Sequence, residues 1–376
     1  MVKEQRLIEL LRKLIAIDSQ NPPGNEVKIA ALCKGYLENL GLRVKIIEFK
    51  KNRPNVVATL KGLPGRQSLL ITPHLDTVPA GISWSLDPFA GVIKNGKLYG
   101  LGATDCKVNL ACSMEVIRSI VEEKVALPYD LIFAATADEE TGSDWGLIPL
   151  LNTKILKPDA AVVLDADDFK IVVTQKGLMH LKVSVKGTRA HGAYPWLGKN
   201  AIAMAVDILA ELNRKKIGIL RNKYLRQSTM NIGTIRGGDK VNVVADWCEF
   251  ELDFRFLPGE SETKIIAMLK RTIRRHCPKY AVTIDGIQKP YAISPSHPLV
   301  AGLASAMRNH GVKPVISGSE GATVITFFQH KNIPAVASGF GTEGCAHTAD
   351  EYVRVSNLIT GARLLEDFLK AYRFSK

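Results

Sequence analysis

No pair of cysteines in this chain is spaced C-x-x-C, and no H-E-x-x-H string occurs anywhere in it. The first absence argues against zinc fingers and dithiol redox motifs, and the second against the helix-borne zinc site of many metalloproteases. The six cysteines, Cys33, Cys106, Cys112, Cys248, Cys277 and Cys345, are scattered through a chain long enough to bury a core without covalent staples, which fits a reducing compartment. Also missing is an uninterrupted apolar run of roughly 18 to 20 residues, the length of a membrane span. The N-terminus does not read as a signal peptide, because Leu7, Leu10, Leu11, Leu14 and Ile15 fall at helical spacing with charges between them. The expectation is a cytoplasmic protein that engages no membrane.

What the chain has in excess is positive charge, with 50 Lys and Arg against 37 Asp and Glu for a net +13. Basic clusters fall at Arg214 to Arg226 and Lys270 to Lys279, but no nucleic-acid-binding module accompanies them. Solvated helix faces and loops are the simpler reading, so no nucleic-acid partner is expected. A positive field does favour encounter with small anionic substrates. At 376 residues the chain exceeds one typical core, so two domains are expected.

The apolar runs Ser68 to Pro73, Asp130 to Thr136 and Ala160 to Leu164 alternate with helical segments, which predicts a mostly parallel sheet covered on both sides. From about residue 178 the pattern changes to strand His180 to Lys186, helix Asn200 to Leu212, strands Thr229 to Ile235 and Trp247 to Phe256, helix Glu262 to His276 and strand Tyr280 to Ile287. That βαββαβ order predicts a ferredoxin-like α+β insertion. After Pro290 the first pattern resumes, with helix Pro298 to Asn309, run Ile333 to Ala337 and closing helix Ser356 to Tyr372. The predicted fold is therefore α/β, with a catalytic domain in two pieces, 1–177 and 290–376, and an inserted domain at 178–289.

The three apolar runs each end in polar residues, at the place where open α/β sheets bind their ligands. The first gives His74-Leu75-Asp76, whose period-two spacing points both polar side chains one way. A metal-bound imidazole usually donates its other ring N–H to a fixed acceptor, and Asp76 is placed to accept from His74. A merely structural His–Asp pair would look the same. Gly100-Leu101-Gly102-Ala103-Thr104-Asp105 brings a short carboxylate out of a glycine-rich turn. The second run leads to Asp138-Glu139-Glu140, where crowded like charges require a cation or a proton. One glutamate of such a pair can ligate a metal while its neighbour takes a proton from water. The third run ends at Asp165, with Asp167 as an alternative donor, and Cys345-Ala346-His347 adds a histidine from the far end of the chain.

In register, I-D-S-Q-N-P-P-G-N-E at residues 17–26, H-L-D-T-V-P at 74–79, G-L-G-A-T-D at 100–105, D-E-E-T-G at 138–142, A-H-G-A-Y-P-W-L-G-K-N-A at 190–201 and A-H-T-A-D-E at 346–351 resemble the family of acetylornithine deacetylases, succinyl-diaminopimelate desuccinylases and carboxypeptidase G. The resemblance spans nearly the whole chain. It implies a zinc-peptidase-like catalytic domain and two Zn2+ ions, replaceable by Co2+ or Mn2+. Asp105 would bridge the ions, His74 and Asp165 would complete one site, and Glu140 and His347 the other. Asp76 would orient His74, and Glu139 would be the general base in hydrolysis of an N-acyl amino acid or, alternatively, a short peptide. The insertion would be a lid that forms a homodimer, with His191 stabilising the oxyanion and Asn242 binding substrate. At residues 317–323 no arginine follows, and Glu320 resembles the acetylornithine deacetylase branch, where a carboxylate would suit a cationic side chain.

Overall fold

A computed structural model describes residues 1–64, 67–321 and 323–374. The chain divides into two compact units: Met1–Val173, Ile293–Ser317 and Phe327–Lys376 form one, and Thr174–Ala292 with Gly318–Thr326 form the other.

The first unit is built on a sheet ordered Val44–Glu48, Pro54–Leu60, Asp130–Ala135, Ser68–Thr72, Ala160–Leu164, Ala335–Ser338 and Lys170–Gln175, the last leading into the second unit. The four strands from Asp130–Ala135 through Ala335–Ser338 are mutually parallel, and antiparallel pairs flank them. Ala160–Leu164 is buried along its whole length, as parallel strands covered on both faces must be. The helix Glu4–Ile15 turns Leu7, Leu10, Leu11, Leu14 and Ile15 inward as a single stripe. Lys107–Glu122 is buried nearly all round, between Glu4–Ile15 and Val355–Ala371. The mixed α/β architecture with a mostly parallel sheet is the one expected from the apolar runs. The hairpin Val44–Glu48 and Pro54–Leu60 was not anticipated, because its outer strand is exposed or half-buried and carries no continuous apolar signal. No helix among the described residues is long and apolar enough to cross a membrane.

In the second unit the order is strand Gly177–Lys186, helix Ala201–Asn213, strands Thr229–Gly237 and Trp247–Phe256, helix Glu262–His276 and strand Tyr280–Gln288. Its sheet is antiparallel throughout, ordered Thr229–Gly237, Trp247–Phe256, Gly177–Lys186, Tyr280–Gln288. Met179, Leu181, Val183 and Val185 alternate inward and meet Phe250, Leu252, Phe254 and Phe256 under the two helices. Asn200 and Ser261 cap those helices by accepting backbone N–H groups. Gly318–Thr326 belongs with this unit through side chains: Gln175 Oε1 accepts from Thr323 N at 3.0 Å and Thr323 Oγ1 at 2.7 Å, and Lys176 Nζ lies 2.6 Å from Glu320.

Candidate metal centre

The parallel strands deliver His74, the Glu139–Glu140 turn and Asp165 at their carboxyl ends, and loops of the same unit deliver Asp105 and His347. His74 stands just beyond Ser68–Thr72, in a bridge to Thr136, and Leu75 N donates to Thr136 O at 2.8 Å. Asp165 directly follows Ala160–Leu164, its N–H donating to Ser338 O at 3.0 Å. Asp138, in the left-handed region at φ 68°, turns the chain so that Glu139 and Glu140 open a single 3-10 turn. Gly102 makes the approach of Asp105 possible. Its φ is +80°, and a Cβ there would stand 2.7 Å from Thr77 Cγ2 and 3.0 Å from Lys107 Cδ. His347, also left-handed at φ 59°, comes from the loop between Ala335–Ser338 and the short strand Tyr352–Arg354.

These side chains converge. Asp105 Oδ1 is 2.9 Å from His74 Nε2, while its other oxygen, Oδ2, is 3.2 Å from His347 Nε2. Asp165 Oδ1 lies 3.6 Å from His74 Nε2, and Glu140 Oε2 lies 3.2 Å from His347 Nε2. Three groups of donor atoms each fall within 4.8 Å of one another: His74, Glu139 and Asp165; Asp105, Glu140 and His347; and His74, Asp105 and Cys106. Asp167 belongs to none of these groups among the described residues. Imidazole nitrogen with carboxylate oxygen is the donor chemistry of a divalent transition metal, so the residues present fit two neighbouring cations.

Asp76 does more than face His74. The imidazole Nδ1 is 3.0 Å from the Asp76 main-chain oxygen and 3.6 Å from its carboxylate. The carboxylate accepts from Glu139 N at 3.1 Å, Glu140 N at 3.2 Å and Asn21 Nδ2 at 2.8 Å, so it ties the His74 strand end to the Glu139–Glu140 turn.

Charge in the centre is strongly coupled. Hydrogen bonds to Asp105 and then Glu140 push His347 up to about 10. Burial raises Asp105, but its bonds to His347 and His74 outweigh that and hold it below the usual carboxylate range. Loss of water and then the charge of Asp165 lift Glu139 well above a free glutamate.

Sequence reasoning missed the groups that hold these donors. Arg53 is buried, donating from Nε to Glu26 Oε2 at 2.8 Å and from Nη2 to Asp138 Oδ1 at 2.9 Å. Glu351 is buried too, accepting three backbone N–H bonds from the segment that leads to Asp105. Asn21 and Glu26 lie inside the N-P-P-G-N-E string and Glu351 ends A-H-T-A-D-E, so the signal was present as motif, without a role attached.

The remaining expected residues lie in the second unit. His191 pairs with Val243 in a short bridge, and Gly192 N donates to Asn242 O at 2.8 Å, so His191 and Asn242 occupy adjoining loops. A Cβ at Gly192 would stand 2.9 Å from the Asn242 backbone. Glu320 is 48% exposed and is engaged by Lys176 and by Arg226 N, which donates at 2.8 Å.

A mostly parallel α/β sheet whose strand ends and adjoining loops gather two histidines and several carboxylates into neighbouring donor groups defines a metal-dependent hydrolase. A match to the peptidase family M20/M25/M40 covers residues 70–371, and the chain belongs to that family. Among solved structures, it is similar to a tripeptidase from Staphylococcus aureus, at 28% identity, 98% coverage of each chain and a TM-score of 0.81. It also resembles a family M20 metallo-carboxypeptidase from Sulfolobus solfataricus, at 23% identity, 99% of each chain and 0.77. A dinuclear metal-binding peptidase from Bacillus subtilis shares the fold at 17% identity, 98% of this chain, 97% of that chain and 0.76.

Proposed function

We propose that this protein hydrolyses the amide bond of short peptides, as an exopeptidase with a dinuclear zinc centre that Co2+ or Mn2+ would also fill. The observation that carries this reading is the carboxylate of Asp105, whose two oxygens each face a different imidazole, at 2.9 Å and 3.2 Å. His74 and Asp165 would hold one cation with Asp105, and Glu140 and His347 the other. Bound there, the pair would polarise the scissile carbonyl and acidify a water. Glu139 would accept a proton from the attacking water and return it to the leaving nitrogen. Asp76 keeps His74, Glu139 and Glu140 in register. His191 and Asn242, on adjoining loops, are suited to donate to the developing oxyanion and to the substrate, in a homodimer formed through the second unit.

The likeness to a tripeptidase, a carboxypeptidase and a dinuclear peptidase favours peptides over N-acyl amino acids. A second reading, deacylation of N-acyl amino acids of the acetylornithine or succinyl-diaminopimelate kind, draws on the half-exposed carboxylate of Glu320. Because Lys176 already pairs with it at 2.6 Å, a cationic substrate would have to compete with that lysine. The test is a panel of di- and tripeptides against N-acetylornithine, N-acetylglutamate and succinyl-diaminopimelate, using chelator-stripped protein reloaded with Zn2+ or Co2+. Faster turnover of peptides supports the first reading, faster turnover of an acyl amino acid replaces it with the second, and full activity after stripping rejects both.

A further inference from the structure

Glu351 follows His347 by four positions, so a single loop supplies a donor of one half-site and reaches the segment that carries Asp105. Its side chain is 1% exposed. Oε2 accepts from Gly102 N at 2.9 Å, and Oε1 accepts from Thr104 N at 2.7 Å and Asp105 N at 3.0 Å. The Glu351 main-chain oxygen accepts from Gly100 N at 2.9 Å. Neighbouring bonds reinforce the contact, with Thr104 Oγ1 donating to Tyr352 O at 2.7 Å and Thr342 N donating to Thr104 Oγ1 at 3.1 Å.

The segment from Gly100 to Asp105 belongs to no helix or strand and contains two glycines and an alanine, so little in it resists rotation. Its backbone is nonetheless required to aim one carboxylate at two imidazoles at once. A carboxylate that accepts several main-chain N–H groups fixes their directions together, and removing it would leave buried donors unpaired.

We infer that Glu351 is a positioning residue that sets the bridging carboxylate of Asp105 and couples its placement to that of His347. The inference rests on the dinuclear reading above. Outer groups that orient metal ligands typically change metal affinity by about 10- to 100-fold when replaced. Gln at this position keeps the shape but turns an amide NH2 toward N–H donors, and Asp keeps the charge while shortening the reach.

The experiment titrates metal-free wild type, Glu351→Gln, Glu351→Asp and a control, Glu115→Gln, with Co2+ and Zn2+, followed by calorimetry and the cobalt absorption bands. Glu115 is equally buried but pairs with Arg6, outside the donor groups. The expected result is Co2+ affinity weakened at least about 10-fold in Glu351→Gln, less in Glu351→Asp and not at all in Glu115→Gln. Amide exchange at Gly102, Thr104 and Asp105 should quicken in parallel, in the metal-free protein as well. Folded Glu351→Gln with wild-type affinity and exchange would overturn the inference. If that variant does not fold, Glu351→Asp decides, and wild-type values there overturn it equally. Wild type that takes up neither ion would sink the dinuclear reading and this inference with it, whereas two ions bound equally well by wild type and Glu351→Gln would remove only the role of Glu351.

Discussion

In the sheet and helices of the second unit, Gly177–Gln288, the side chains that face the helices are apolar from Met179 through Phe256, and Lys182, Glu249, Glu251 and Asp253 stand on the other side of the sheet. The unit that carries the metal centre instead buries Glu26, Arg53, Asp76, Lys107, Asp138 and Glu351. Burying such groups costs free energy unless each finds partners, and here each has them. The contrast teaches that alternation suffices to build a scaffold, while a site that must hold convergent carboxylates needs a second set of buried polar groups to hold them.

The comparison is broken most severely at Glu139. Glu139→Gln should lower kcat by about 10²- to 10⁴-fold, the usual contribution of a general base, with KM and metal content little changed. Steady-state kinetics alongside elemental analysis would check this, and a comparable loss of bound metal would assign Glu139 to ligation instead. In the second unit the largest effect is on stability. Phe250→Ala removes a fully buried ring and should cost about 3 to 5 kcal/mol in denaturant unfolding, without weakening Co2+ binding by the other unit.

Lys107 sharpens the contrast through pH. Burial lowers its pKa from 10.5 to about 8, against the opposing charges of Glu351 and Asp18. Between those values the unfolded chain binds the proton more than the folded one does, so stability rises with pH in that window. Metal-free wild type should therefore gain about 3 kcal/mol relative to Lys107→Met between pH 8 and 10.5, read from urea midpoints. A flat difference would show that the ammonium is not desolvated. The smallest effect belongs to the outer face of the second sheet. Lys182→Ala, which breaks a 2.9 Å pair with Glu249, should change stability by less than about 1 kcal/mol, and less still in high salt.

The same contrast explains what the letters revealed. Trp247–Phe256, Glu262–His276 and Pro298–Asn309 were legible to the residue, because period-two and helical patterns follow directly from which face is buried. That His74, Asp105, Glu140, Asp165 and His347 come together was foreseeable, for His74 and Asp165 because apolar runs end just before them, and for Asp105, Glu140 and His347 because the motifs keep their order. The roles of Arg53 and Glu351 were not, since bonds made across the fold, from Arg53 to the carboxylates of Glu26 and Asp138 and to Glu351 from main-chain N–H groups, leave no periodic trace. Gly318–Thr326 was missed for a related reason. Its membership of the second unit depends on Gln175 and Lys176, nearly 150 positions earlier.

The carboxylate of Asp105 has one further consequence. Cations held on its two oxygens would draw on a single negative charge, so loading could not proceed as two independent events. The first arrival would withdraw electron density from the oxygen left for the second and would repel it besides. Uptake should then be stepwise, with a tight and a loose ion, and the concentration of free metal would set how much of the protein carries the full pair.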